Sequence, residues 1–298
     1  MGLKRKHTWV GLIVVVVAVG VVGRACMSQT SAPPVGPVAV AEGVEDFTYD
    51  DYAAALKYVN DDALVDYRGL KADRGRLDAF AGALGRLDPA VFAGWSDEDK
   101  IAFWINAYNA LTLKAIIDNY PIRPRFTASL RFPDNSIRQI KGVWDKIRFP
   151  VMGRPMTLDG TEHERLRAQF NEPRIHLALV CAAMGCPPLR NEPFLGEKLG
   201  EQLADQTRVF LGNPKKFRID RDTRKVRLSS IFKWFGGDFV KTYGTDARFA
   251  GYDEVERAVL NYVSGHLSEE DAAYLAGGGY GIEYLPYDWT LNEQPAKK

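Results

Sequence analysis

The sequence predicts a single α+β domain, mostly helical with short antiparallel hairpins and a buried central helix, which follows an N-terminal membrane segment. Helical segments and short hairpins follow one another in irregular order, which is typical of α+β domains rather than of a doubly wound sheet. One long helical segment is apolar on nearly every side, as helices in the middle of a domain are. Of the 298 residues, 46% are hydrophobic, so the chain can bury one large core.

The first residues have the order of an export signal. Lys4, Arg5 and Lys6 precede an uncharged apolar stretch over residues 9–23, which predicts that the N-terminus stays inside and the body leaves the cytoplasm. As a helix this stretch covers roughly 22 Å, less than the roughly 30 Å of a hydrocarbon core. Residues 1–26 are therefore interpreted either as a cleaved signal peptide or as a retained signal anchor, and Cys26 leaves lipidation open as well.

Composition sets the domain boundaries. Residues 27–44 are mainly small residues and Pro, too poor in large apolar groups to pack, and are predicted to be a flexible linker. Residues 45–292 are predicted to form the domain and residues 293–298 a tail. We therefore expect an exported protein, membrane-anchored or periplasmic, that meets the membrane through its N-terminal segment.

The charge of the chain argues against nucleic-acid binding. The formal net charge is +1, and several basic residues lie in the N-terminal segment, so the body is close to neutral. A basic cluster over residues 215–227 is interrupted by acids. Such a body has little excess positive charge with which to neutralise phosphates. A protein or peptide partner is compatible with this composition.

Helices are predicted at the start of the domain. Residues 49–59 and 69–87 form the first two, and Ser96, with Asp99 three residues later, opens a third through a capping box. The third helix ends before Pro121. Because apolar residues surround it, we expect it to be buried.

The middle of the chain predicts a hairpin, a short helix and a buried strand. Residues 148–152 and 155–158 flank a Gly-Arg turn, and Asp159 with Glu162 is expected to cap a helix through about residue 170. Residues 174–181 have the length and apolar density of a buried strand. The remaining predicted elements are, in chain order, a helix over 193–211, a hairpin of 216–220 with 225–229, helices near 230–243, 253–267 and 269–275, and an extended piece over 281–285.

Histidine and cysteine side chains gather in one short stretch of the domain. Cys186, on the loop after the predicted strand, is the preferred nucleophile of a thiol site, with His163 as its base and Cys181 as the rival nucleophile. Glu162 is the candidate that orients the base. Because side chains alternate along a strand, His176 and Cys181 are predicted to face opposite ways.

Structural interpretations of the same residues stay open. Glu162 can simply close the capping box, and His163 and His176 can be satisfied core histidines. Cys181 and Cys186 can form a disulfide that silences both thiols. Zinc held by the two cysteines and two histidines matches no common spacing, and the cysteines lack the Cys-x-x-Cys spacing of thioredoxin-like redox sites. No cofactor and no metal is therefore predicted.

Three further polar residues are candidates for the site. Asn106 and Asn109 lie three apart on the buried helix and must meet polar partners, either loop carbonyls or groups of a site, where an amide can orient a histidine or bind an oxyanion. Arg190 can bind a substrate carboxylate or pair with Glu192, and His176 is the other candidate for substrate binding.

Several segments, in this order, resemble the family called domain of unknown function 547. They are residues 103–111 (FWINAYNAL), 158–167 (LDGTEHERLR) and 176–190 (HLALVCAAMGCPPLR), with residues 285–292 (LPYDWTLN) resembling the closing segment of bacterial members. The resemblance covers roughly residues 50–238. Ala182 stands where the pattern usually has Gly, and Gly185 where it usually has Ser. The resemblance implies one fold and no activity, while the recurrence of the His and Cys positions favours a site there.

Two hypotheses about function follow. The first is a thiol-dependent hydrolase or acyltransferase with the Cys/His site described above. The second is a non-catalytic binding or scaffold module of the cell envelope, in which a Cys181–Cys186 pair is structural. The sequence leaves open whether the protein is an enzyme. Free thiols favour the first hypothesis, and a disulfide between the two cysteines favours the second.

Overall fold

The computed structural model of the protein describes residues 47–245 and 247–295, which belong to one compact unit. The expected signal or anchor segment, the linker and the end of the tail lie outside the described residues. Within the described part, no helix combines the length and the apolar character that crossing a membrane requires.

The described residues form ten α-helices and five short strands. The helices are α1 (Asp50–Leu56), α2 (Tyr67–Ala72), α3 (Gly75–Arg86), α4 (Pro89–Ala93), α5 (Asp97–Asn119), α6 (Phe126–Ser129), α7 (Leu199–Leu211), α8 (Ser230–Tyr243), α9 (Glu254–Ser264) and α10 (Glu269–Gly277). The strands are β1 (Phe149–Val151), β2 (Arg154–Met156), β3 (Phe217–Asp220), β4 (Lys225–Ser229) and β5 (Gly281–Leu285). Short 3₁₀-helices cover Ile137–Gln139, Pro173–Leu177 and Gly196–Lys198, and a π-helix covers Gly160–Arg167. The predicted mixture of helices and small sheets is confirmed.

Helix α5 is the buried central helix that the sequence predicts. The Ser96 hydroxyl accepts a hydrogen bond from the Asp99 N–H at 3.0 Å. Acidic side chains occupy the first turn, where their negative charges interact favourably with the positive end of the helix dipole. From Ile101 to Ile117 nearly every side chain is buried, polar ones included. Because buried polar groups must be paired, the amides on α5 have to find partners inside the protein.

A second apolar cluster packs α8 against α9. The rings of Phe239 and Tyr262 lie in its centre, with their centroids 4.9 Å apart. The packing of α8 also brings it against the 3₁₀-helix Pro173–Leu177. This contact places a side chain of α8 beside His176, although the two are far apart in the sequence.

The sheets are small and differ from the predicted hairpins in one respect. Strands β1 and β2 form an antiparallel hairpin, with Met152 and Gly153 at positive φ in the turn, as tight hairpin turns require. Strands β3 and β4 form the second predicted hairpin. Strand β5, predicted only as an extended piece, pairs in parallel with β4, and the helices α8 to α10 make the connection that a parallel pair needs.

The predicted strand over residues 174–181 is wrong. Pro173–Leu177 is a 3₁₀-helix, and the residues after it run irregularly through the core. The Asn109 side chain donates to the Ala178 carbonyl at 3.0 Å and accepts from the Val180 N–H at 2.8 Å. Since a side chain satisfies this backbone, no neighbouring strand is needed. The alternation that separated His176 from Cys181 therefore does not apply.

Three predicted helices differ from those observed. The helix expected over residues 69–87 is divided into α2 and α3, because the chain leaves helical geometry at Asp73. The helix expected from residue 193 begins as α7 at Leu199. The helix after residue 159 is a π-helix, and Asp159 makes no capping bond; the Thr157 hydroxyl instead accepts from the Gly160 N–H at 3.0 Å.

The C-terminal segment closes the domain. Val65 donates its N–H to the Asn292 carbonyl at 2.8 Å and accepts from the Gln294 N–H at 3.0 Å. Met184 and Gly185, between the two cysteines, donate to the carbonyls of Thr290 and Asp288, each at 2.7 Å. These bonds join the chain up to Gln294 to the rest of the domain.

Candidate functional site

A cavity of about 210 Å³ lies where the π-helix, the cysteine loop, α8 and the C-terminal segment meet. Its lining includes the predicted site residues Glu162, His163, His176, Cys181 and Cys186, together with Arg138 and Asp159. Much of the remaining wall is aromatic and includes Tyr108, Trp144, Trp234, Phe235, Tyr287 and Trp289. A mainly apolar cavity with a few convergent polar groups is the usual form of a small-molecule site.

The π-helix aims several of these side chains. Its wide turns bring residues four and five apart onto one side, so that Arg167 faces both Glu162 and His163. The Arg167 guanidinium lies 2.9 Å from His163 Nδ1. His163 is exposed at the rim of the cavity, whereas Glu162 is only 8% exposed.

Glu162 has an unusual protonation state. Burial raises the pKa of Glu162 to about 7; the charge of Arg167 offsets part of the rise, and the carboxylates of Asp159 and Asp238 add to it. Near neutral pH this carboxyl group is therefore close to the midpoint of its titration, where it can both donate and accept a proton.

His176 is held by a carboxylate from α8. Its Nε2 lies 2.7 Å from Asp238 Oδ2, and its ring stacks on Phe235 with the centroids 4.1 Å apart. Arg167 binds the same carboxylate in two places, with Nε 2.6 Å from Oδ2 and a second nitrogen 3.0 Å from Oδ1. A buried imidazole fixed by a carboxylate, which is itself fixed by a guanidinium, has little freedom to rotate.

The charges of this group determine the tautomer of His176. Burial alone would raise the pKa of Asp238, but the hydrogen bonds from His176 and Arg167 outweigh it and hold that pKa below its usual range. Burial lowers the pKa of His176, although Asp238 opposes the shift. A neutral imidazole beside an ionised carboxylate must carry its proton on Nε2. Nδ1 is then the free base, and it lies 4.0 Å from Glu162 Oε1.

Cys181 and Cys186 form a disulfide, with their Cα atoms 6.2 Å apart. The Cys186 sulfur accepts a hydrogen bond from the Cys181 N–H at 2.9 Å and lies 3.0 Å from the Tyr287 hydroxyl. The same hydroxyl lies 3.1 Å from the Cys181 sulfur. Cys186 is 4% exposed and Cys181 is half-buried. In this state neither sulfur is a thiolate.

The structure gathers five of the predicted site residues and leaves three outside. The cavity brings together Cys181, Cys186, Glu162, His163 and His176. Asn106 and Asn109 do not line it, because both side-chain amides form hydrogen bonds with backbone groups. Asn106 donates to the Phe194 carbonyl at 2.7 Å and accepts from its N–H at 2.9 Å, while Asn109 bonds the backbone of residues 178 and 180.

Arg190 also lies away from the cavity. Its guanidinium pairs with Glu192 at 2.5 Å, the pairing that the sequence offered as the alternative to substrate binding, and with Asp205 at 2.7 Å. Burial would lower the pKa of Arg190, but these two carboxylates outweigh it and raise that pKa. The charge of Arg190 is therefore satisfied within the protein.

Sequence reasoning missed Asp238, Arg167 and Tyr287. A signal for Asp238 exists in the sequence, because it is an acid in an otherwise apolar stretch of α8, directly after Gly236 and Gly237. Tyr287 lies within the resemblance of the closing segment, but nothing in its spacing points to the cysteines. Within the described residues, no group of three or more His, Cys, Asp and Glu side chains is arranged to hold a metal ion.

Comparison with known proteins identifies a family and no individual relative. No curated protein matches this chain, and no solved structure matches it. A family model described as "Protein of unknown function, DUF547" matches residues 92–211, the region that contains α5, the π-helix, His176 and the disulfide. Asp238 and Tyr287 lie outside the matched region. Residues 92–211 therefore match a domain of the DUF547 family.

Proposed function

We propose that this domain is a thiol-dependent acyl-transfer enzyme, a hydrolase or acyltransferase, whose thiol is released when the disulfide is reduced. One observation carries the proposal: a single cavity is lined by the disulfide, by a histidine that a carboxylate orients, and by a carboxyl group with a pKa of about 7. Two titratable groups with shifted pKa values in one cavity are typical of acid–base catalysis.

Cys186 is the proposed nucleophile. In the disulfide its sulfur already accepts the Cys181 N–H and contacts the Tyr287 hydroxyl, so a thiolate at this place has two hydrogen-bond donors. Hydrogen bonds to the charged form lower the pKa of an acid. Cys181 has only the tyrosine among these donors and serves as the resolving thiol that reforms the disulfide.

His176, rather than His163, is the proposed base. His176 has the orienting carboxylate that a base in a thiol site requires, whereas His163 is exposed and lies against Arg167. The thiol proton moves to the imidazole, the thiolate attacks the carbonyl carbon, and the leaving group departs with the imidazolium proton. Water or an acceptor nucleophile then gives its proton to the imidazole as it attacks the thioester, and the imidazolium proton returns to the released sulfur. Glu162 exchanges protons with His176 Nδ1 through a bridging atom of the ligand.

Reduction must precede this chemistry. Two external thiols, or one dithiol, reduce the disulfide to two cysteine thiols and are themselves oxidised to a disulfide. The activity is therefore expected to depend on the redox state of the compartment.

A non-catalytic module is the second candidate, and one observation favours it. The disulfide joins a loop whose backbone is already bonded to the C-terminal segment through Met184 and Gly185. In that function the bond is structural, and its reduction lowers the free energy of unfolding by about 2 kcal/mol, the value expected for so short a loop, without producing a reactive thiol.

We further propose that the domain works outside the cytoplasm, attached to or released from the membrane. The basic and apolar order of the first residues supports this location, as does a disulfide, since such bonds persist in oxidising compartments. Labelling of intact cells with a thiol reagent that does not cross membranes, after mild reduction, tests it. Labelling of Cys181 and Cys186 only after lysis would contradict it.

The test of the enzyme uses p-nitrophenyl acetate as the acyl donor. The full chain is reduced, freed of reductant and mixed with the ester. The mass of the peptide that contains both cysteines is then measured by mass spectrometry. We expect one acetyl group on Cys186, added at least about tenfold faster than to N-acetylcysteine, and little addition to the unreduced protein.

Variants separate the candidate bases. His176→Gln is expected to slow acylation about 100-fold, and His163→Gln, the matched control, by less than about threefold. Cys186→Ser should abolish the acetyl adduct, whereas Cys181→Ser should keep it. Acylation no faster than that of the free thiol, or equal acylation in His176→Gln, rules the enzyme out and leaves the structural disulfide.

A further inference from the structure

Within the part of the chain that the structure describes, one cation in the cavity has no partner of opposite charge. Arg138, on the 3₁₀-helix Ile137–Gln139, lines the same cavity as Glu162 and His176. Among residues 47–245 and 247–295, no carboxylate lies within 4.0 Å of its guanidinium, whereas Arg167 binds one carboxylate and Arg190 binds two. A half-buried cation that the protein does not pair is available to a ligand.

Aromatic rings hold this guanidinium in place. Its central carbon lies 4.4 Å from the ring centre of Phe132, 4.8 Å from that of Trp289 and 5.2 Å from that of Trp144. The three rings cover part of the surface of the group and restrict its motion, but they take up none of its N–H donors. The edges of the guanidinium are therefore free for an acceptor.

The carboxyl groups that line the cavity belong to Asp159 and Glu162, and among the described residues neither forms an ion pair with Arg138. Asp238 does not line the cavity, and it is bound by Arg167 and His176. Burial lowers the pKa of Arg138, and no neighbouring charge contributes to the shift. The group stays charged near neutral pH, since an arginine remains protonated far above it.

We propose that Arg138 binds a carboxylate of the ligand, and that the cavity accepts acyl compounds that carry a carboxylate. A guanidinium with free edges presents two parallel N–H donors, which match the two oxygens of a carboxylate. That the ligand is an acyl compound rests on the proposed function. That the ligand carries a carboxylate rests only on the residues of the cavity.

Binding to the disulfide form tests the carboxylate without requiring any chemistry. Trp144, Trp234 and Trp289 line the cavity, so tryptophan fluorescence reports its occupancy. The probes are N-acetyl-alanyl-alanine and its C-terminal amide, which differ in charge and hardly in shape. We expect the unreduced full chain to bind the acid at least about tenfold more tightly than the amide.

Three variants make the result specific. Arg138→Gln should bind the acid as weakly as the amide. Arg138→Lys keeps the positive charge but loses the two parallel N–H donors, so it should retain part of the preference for the acid. Arg131→Gln, an exposed arginine nearby in the sequence, should bind as the wild type does. Far-ultraviolet circular dichroism checks that each variant is folded. If Arg138→Gln does not fold, the comparison of acid and amide is made with Arg138→Lys.

Equal binding of acid and amide, no binding of either, or a preference that survives in Arg138→Gln each overturns the proposal. These outcomes do not depend on a free thiol. If acylation fails while the acid still binds selectively, the proposed enzyme activity is rejected and the carboxylate site is retained. If acylation succeeds while the acid shows no selective binding, the activity is retained and the carboxylate site is rejected.

Discussion

Glu162 Oε1 lies 4.0 Å from His176 Nδ1, too far for a direct hydrogen bond and close enough for one atom of a ligand to bridge the two. Burial moves the pKa values of the two groups in opposite directions, upward for Glu162 and downward for His176. Each shift favours the uncharged form, so near neutral pH the pair can pass a proton without first creating an isolated buried charge.

The raised pKa of Glu162 predicts a loss of stability as the pH rises. The folded protein holds this proton with a pKa of about 7, against an ordinary value of 4.5. The stabilisation is complete below the lower value and is lost between the two. Relative to Glu162→Gln, which stays uncharged, the wild type should lose about 3 kcal/mol of unfolding free energy between pH 4.5 and 8.

Urea denaturation of both proteins across this pH range measures the difference. The difference between wild type and variant cancels the groups that titrate in the same range independently of Glu162. Glu164→Gln changes an exposed side chain on the same π-helix and provides the control. Parallel curves for wild type and Glu162→Gln would show that Glu162 titrates alike in the folded and unfolded states.

Asn109 is predicted to be a strong determinant of stability. Its buried amide satisfies the Ala178 carbonyl and the Val180 N–H, and Asn109→Ala leaves both backbone groups without a partner. We expect a loss of about 2 to 4 kcal/mol in the free energy of unfolding. Asn119→Ala, at the exposed end of α5, removes a single bond to the Ala115 carbonyl and should cost less than about 1 kcal/mol. Equal losses would contradict the role assigned to Asn109.

Ala182 and Ala183 should respond in different ways to replacement by Gly. Both are buried, but only Ala182 has a positive φ, 58°, where a Cβ costs about 1 kcal/mol or more. The family pattern usually has Gly at this position. We expect Ala182→Gly to be neutral or stabilising and Ala183→Gly to cost about 1 kcal/mol, as measured by chemical denaturation. A larger cost at Ala182 than at Ala183 would contradict this account.

Gly185 should not tolerate a side chain. A Cβ at this position would lie 2.8 Å from three ring atoms of Tyr287, so Gly185→Ala must push the ring away from the two sulfurs. We expect a loss of about 1 to 3 kcal/mol. Gly200→Ala, on the exposed side of α7 where a Cβ meets nothing within 4 Å, should instead stabilise by about 0.5 to 1 kcal/mol.

A double variant checks the cause of the Gly185 effect. In a Tyr287→Ala background the ring is absent, and Gly185→Ala should then cost little. A loss as large as in the wild type would mean that the glycine is needed for another reason.

Much of the helical framework could be predicted, because its signals are local. Ser96 and Asp99 mark the start of α5, and the apolar surface of α5 predicts its burial. Strand β5 was predicted as an extended piece, but its parallel pairing depends on where the intervening helices pack, which no local pattern contains. The residues from Arg174 to Cys181 were mistaken for a strand, because an apolar run looks alike whether a sheet or a side chain such as Asn109 satisfies its backbone.

The sequence predicts which residues belong to the candidate site better than it predicts the contacts between them. The stretch that contains Glu162, His176 and Cys186 was recognised from residue types alone, and the cavity brings these residues together. The proposed choice of His176 over His163 depends on Asp238, which is 62 residues away and reaches His176 only through the packing of α8. Such a contact cannot be inferred from the spacing of residues in one sequence.

The position of Tyr287 in the chain has a consequence for biosynthesis. This residue comes 101 positions after Cys186, and with Trp289 it supplies a wall of the cavity. A nascent polypeptide that has emerged only as far as the cysteines lacks that wall, so both sulfurs meet any oxidant or foreign thiol in the medium. Pairing of the two cysteines can therefore take place during synthesis, before the pocket around them exists.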